Sequence, residues 1–162
     1  MNASTSLVYL PAGIGVLFAA QRTAGPLRAT LTAYAAALAA TAVGSVAYHG
    51  RQPSRAHQLH DGSLQITFAL ACGLLTRVAL AGGARWHNPR FRRLLIVVAL
   101  ASGAYGAGRS GSPLCHPDSP LQLHAAWHLL SALAAVIVAQ AAADGPVVGP
   151  NGSGAKRAAE GS

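Results

Sequence analysis

Long apolar runs with almost no charge inside them restrict this chain to a lipid solvent. Its 162 residues are 52% hydrophobic and 10% charged, whereas a soluble domain carries about a quarter charged residues. Five apolar segments are legible, at about 7–20, 27–48, 62–81, 94–107 and 121–143. A spanning helix needs roughly 20 such residues. The second, third and fifth segments reach that length. The first is interrupted by Pro11, and the fourth is short and glycine-containing. Abundant alanine and glycine suit close helix approach in a membrane. The expected fold is therefore all-α, a polytopic transmembrane helix bundle of about five helices formed by residues 1–143. Residues 144–162 are rich in Gly, Pro, Ser and Ala, and are expected to be a disordered cytoplasmic tail because they offer too little to bury.

The net charge of +8 does not mark a nucleic-acid surface. The arginines sit in short loops between apolar runs, with no basic stripe interleaved with aromatics. They set topology instead. Five spans place Arg51, Arg55 and Arg109 on one side, and Arg22, Arg28, Arg85, Arg90, Arg92, Arg93, Lys156 and Arg157 on the other, with Arg77 close to the latter. Lys and Arg accumulate in cytoplasmic loops, so the second side is expected to be cytoplasmic and the N-terminus outside. Residues before Leu7 lack the positive charge of a signal-peptide n-region. The Ala-, Gly- and Arg-rich composition points to a GC-rich bacterial genome, and the expected location is the bacterial inner membrane.

Five residues are costly in such helices: Ser45 and His49 closing the second segment, Asp61 opening the third, and His124 and His128 opening the fifth. Ionisable residues at bilayer depth are functional candidates by default. The charge-derived topology brings all five to the outer leaflet at similar depth. Residues four apart share a helix face, so His124 and His128 can turn toward one ion, and Ser45 lies one turn from His49. Three imidazoles plus a water form a common catalytic zinc arrangement with an open fourth position, in which the water's pKa falls to about 7. Asp61 can take a proton from that water or orient a histidine, and Ser45 can donate to the water or to an oxyanion.

The remaining histidines are expected to stand apart. His57, His60 and His116 fall in outer loops as solvated residues, although His60 adjoins Asp61, and His87 lies on the cytoplasmic side. Cys72 and Cys115 differ in depth and read as free thiols. Trp127 is expected to pack at the interface or line a pocket, and Tyr48 to act as an interfacial anchor.

The motifs Ser45-Val-Ala-Tyr-His49, Asp61 after a short loop, and Leu121-Gln-Leu-His124-Ala-Ala-Trp-His128-Leu-Leu resemble those of the alkaline ceramidase family. That family belongs to the CREST superfamily, which also contains the progestin and adiponectin receptors. The resemblance covers the three motif-bearing helices, about half the chain. It implies an intramembrane zinc amidohydrolase in which His49, His124 and His128 hold Zn2+ while Asp61 and Ser45 contact the water. Two departures matter. The family has seven helices, and the two absent here would fall between Asp61 and His124, an even loss that keeps the last helix in orientation. The family's acidic N-terminal calcium site is not carried over, since residues 1–20 contain no Asp or Glu. The expected substrate is accordingly a lipid amide or ester, ceramide or another N-acyl or O-acyl lipid. The alternatives are a catalytically silent receptor-like or structural protein with a structural zinc, and a metal or proton carrier. An open metal position beside a lipid-sized cavity separates the first reading from the second.

Overall fold

The computed structural model describes residues 2–49, 55–81, 88–108 and 123–145, almost wholly helical and without a strand among them. The chain begins with a short helix α1 (Asn2–Thr5), a 3-10 turn (Ser6–Val8) and helix α2 (Tyr9–Gln21). Four longer helices follow: α3 (Gly25–His49), α4 (Ala56–Leu80), α5 (Pro89–Gly108) and α6 (Leu123–Ala143). Each of these four is long and apolar enough to cross a membrane, while the apolar stretch Ser6–Gln21 is shorter. The chain is an all-α integral membrane protein.

Pro11 does not interrupt the first segment. It stands in the opening turn of α2, where a missing N–H costs no intrahelical bond. Two boundaries depart from the apolar runs. α4 starts at Ala56 rather than near 62, because helical bonding continues through polar residues; Leu59 N–H donates to Arg55 O at 3.0 Å. His57 and His60 are thus helical, not loop residues, and the His60 side chain is only 14% exposed. α5 begins at Pro89, before its apolar run and through Arg90, Arg92 and Arg93, and reaches 20 residues. Proline suits the first helical position, and Asn88 caps the helix by accepting the Arg90 N–H on Oδ1 at 3.0 Å. His87, Cys115, His116 and the tail from residue 146 lie outside the described residues.

Chain order is not spatial order. α4 packs on α3, α3 on α2, α2 on α6 and α6 on α5, with a further contact between α4 and α6. The core between them contains Val16, Leu31, Tyr34, Leu38, Leu74 and Ala139. Gly44 brings α3 and α4 close: a Cβ there would lie 2.9 Å from His60 Cα. Thr41 and Thr67 hydroxyls bond across the same pair at 3.0 Å. Gly108 does the same for α5 and α6, since a Cβ there would collide with the backbone nitrogen of His124. The C-terminal ends of α3 and α5 therefore meet the N-terminal ends of α4 and α6. Histidines 49, 60, 124 and 128 gather at that end. Arg22, Arg28, Arg77, Arg90, Arg92 and Arg93 occupy the ends of the helices at the opposite pole, where Arg90 pairs with Asp144.

Candidate metal centre

The last turn of α3 and the first two turns of α6 supply three imidazoles that face one another. Ring centroids are 5.3 Å apart for His49 and His124, 5.9 Å for His49 and His128, and 4.7 Å for His124 and His128. One ring nitrogen from each lies within 4.8 Å of the others. The Nε2 atoms of all three are shielded from solvent, and none has a hydrogen-bond partner. Buried polar atoms are normally bonded. Three that converge without partners fit a divalent cation, which neutral imidazole nitrogens bind well. The grouping matches the three ligands expected from spacing, and among the described residues it is the group of this kind.

Ser45, one turn before His49, is buried at 1% exposure on the inward face of α3. Asp61 is placed differently from the histidines. Its carboxylate is 45% exposed and is not a member of the metal-capable group. The Nδ1–H of His60 donates to its Oδ1 at 2.8 Å, and His57 Nδ1 lies 3.3 Å from its Oδ2. The His60 ring is 6.1 Å from that of His49 and is stacked on Tyr48 at 4.8 Å. The histidine that Asp61 bonds is thus His60, which spacing places in a loop and which is not a member of the metal-capable group. Tyr48 is not simply an interfacial anchor, because it packs among His49, His57 and His60.

Residues that sequence spacing gives no sign of also surround the centre. Thr5 Oγ1 and Ser6 Oγ lie 3.2 and 3.4 Å from His128 Nδ1. Trp127 contacts both His124 and His128, at 5.4 and 5.0 Å between ring centroids. It also lines a mostly apolar cavity of about 200 Å³. That cavity runs from Tyr9, Trp127 and Ser131 near the centre to Leu75 and Val138 deeper in the bundle, with residues of α2 to α6 in its walls. Cys72, a free thiol as expected, opens onto it.

Fold and site together define a polytopic membrane protein whose partly buried three-histidine cluster could hold a metal ion. Comparison with family models, curated proteins and solved structures returns no match.

Proposed function

We propose that this protein is a membrane-embedded zinc-dependent hydrolase that cleaves an amide or ester bond in a lipid, as its resemblance to the alkaline ceramidases implies. One observation carries the reading: three unpartnered Nε2 atoms converge without a fourth ligand among the described residues. A site closed by four protein ligands is structural, whereas three leave a position for water or substrate. Zinc held there supplies a Lewis acid and a water acidified to a pKa of about 7.

The chain's own residues divide the remaining work. His49, His124 and His128 hold the ion. Ser45 donates its hydroxyl to the developing oxyanion. Asp61 accepts the proton of the attacking water and returns it to the leaving group, and its bond to His60 couples it to the histidine end of the bundle. The cavity beside Trp127 receives a hydrocarbon chain. At about 200 Å³ it is narrower than the roughly 300–1,000 Å³ of drug-sized sites, which suits a single acyl chain of ceramide or another N-acyl or O-acyl lipid. With the arginine-rich pole cytoplasmic, the centre lies near the outer leaflet of a bacterial inner membrane.

The test is elemental analysis of protein purified without chelator, followed by a screen of N-acyl and O-acyl lipids. Near-stoichiometric zinc with release of fatty acid is the expected result. Metal-free wild-type protein would refute the zinc centre, and stoichiometric zinc without turnover on any lipid would favour a structural metal.

A further inference from the structure

His128 is set apart from its two partner histidines. It is fully buried, and its second ring nitrogen is engaged from the opposite end of the sequence, by Thr5 Oγ1 at 3.2 Å and Ser6 Oγ at 3.4 Å. The same N-terminal element grips the helical turn that carries it. Tyr9 and Ser131 hydroxyls are 2.7 Å apart, and Ser131 donates to Trp127 O at 2.7 Å and to His128 O at 3.1 Å. Since the Ser131 hydrogen is committed to those carbonyls, the Tyr9 O–H donates to Ser131 Oγ. The Tyr9 ring stands 5.8 Å from that of His128. α1 and the 3-10 turn pack on both α3 and α6, the two helices that carry the three histidines.

We propose that Thr5 and Ser6 are positioning residues of the metal centre, fixing the His128 tautomer and ring orientation so that Nε2 presents its lone pair to the ion. This rests on the zinc reading above. An imidazole that binds through Nε2 carries its proton on Nδ1, and that proton needs an acceptor. The two hydroxyl oxygens are that acceptor. In the other tautomer Nε2 would carry the proton, make no hydrogen bond to the facing imidazoles at their present separation, and have no lone pair to offer an ion, which leaves a buried donor unsatisfied. The placement also gives a partner to the Ser6 hydroxyl, whose residue is at 0% exposure. His128 is thus the pre-oriented ligand, and capture of the ion at His128 needs little rearrangement of its ring.

The experiment compares zinc affinity of detergent-solubilised wild type, the double variant Thr5→Val/Ser6→Ala, and the conservative Thr5→Ser, by competition with a chromophoric chelator. The double variant should bind zinc about 10–100-fold more weakly, and Thr5→Ser within about twofold of wild type. Cobalt-loaded protein should show a displaced visible spectrum in the double variant, because a turned imidazole changes the ligand field. Should the double variant not remain monodisperse, Thr5→Val and Ser6→Ala are read singly, each weakening zinc severalfold. Wild-type affinity in the hydroxyl-free variants would overturn the proposal. So would a loss in Thr5→Ser equal to that in the double variant, since packing rather than the hydroxyl would then be responsible. Wild-type protein that takes up no zinc would instead refute the reading on which the proposal rests.

Discussion

Gly44→Ala adds one methyl where α3 and α4 are closest. The new Cβ would sit 2.9 Å from His60 Cα, 3.0 Å from His60 N and 3.1 Å from Leu59 C. All three neighbours are backbone atoms, so no side chain can rotate away. Carbon contacts are comfortable at about 3.5–4.0 Å, so α4 must withdraw by on the order of 0.5–1 Å. Overpacking of this kind costs about 1–3 kcal/mol. The displacement is selective. His60 and Asp61 travel with α4, whereas His49, His124 and His128 lie on α3 and α6. Bound zinc should therefore persist while hydrolysis falls by about 10²-fold, the cost of misplacing a reacting group by an ångström. Gly62→Ala is the matched control: it is on α4 beside Asp61, yet its Cβ would meet nothing within 4 Å. That change should leave turnover intact and raise thermal stability in detergent, because alanine is favoured over glycine by about 1 kcal/mol in a helix. The assays are zinc content, melting temperature and lipid turnover on the same preparations. Wild-type turnover in Gly44→Ala, or equal damage from Gly62→Ala, would refute the argument that this crossing sets the Asp61–His60 arm.

Five further substitutions probe the centre and its cavity. His124→Ala and His128→Ala should each strip the metal, whereas His57→Ala, whose side chain is 69% exposed, should retain it; equal loss from His57→Ala would mean the ligand set is wrong. Asp61→Asn keeps hydrogen bonding but takes no proton, so zinc should remain and turnover should fall by about 10²–10⁴-fold; unaltered turnover would remove its proton-transfer role. Ala134→Leu projects bulk into the cavity lined by Trp127 and Val138, and should raise KM for long-chain lipids more than for short-chain ones, with a uniform change arguing against acyl binding there.

The three ligands were legible because their signals are local. A four-residue spacing defines a helix face, and an even number of crossings between Asp61 and His124 is fixed by counting apolar runs. The start of α4 is less visible, since residues 57–61 are polar except Leu59 and hydropathy ends before the helix does; spacing therefore places two histidines in solvent, one of which, His60, packs against His49 and Tyr48. α5 shows the same effect at Pro89, where an Asn88 cap and a proline suited to the first turn extend a helix through three arginines. Thr5 and Ser6 left no trace in the pattern. Their partner is more than a hundred positions away, and a hydroxyl in an opening turn looks like any N-terminal polar residue until the helices are packed.

The ligands come from helices that are not partners. α3 and α6 do not form one of the extensively packed pairs; each reaches the other's neighbours, α2 and α4, and their histidine rings meet at one pole. An ion bound there is a fastener between the early and late parts of the chain, closing a long loop whose closure entropy the apoprotein must offset by helix packing alone. Metal occupancy and tertiary assembly are then coupled. A chain severed between α4 and α5 would yield two membrane fragments that pack through α6 on α2 and α4 and whose reunion the ion would strengthen, each fragment carrying part of the ligand set and neither carrying all of it.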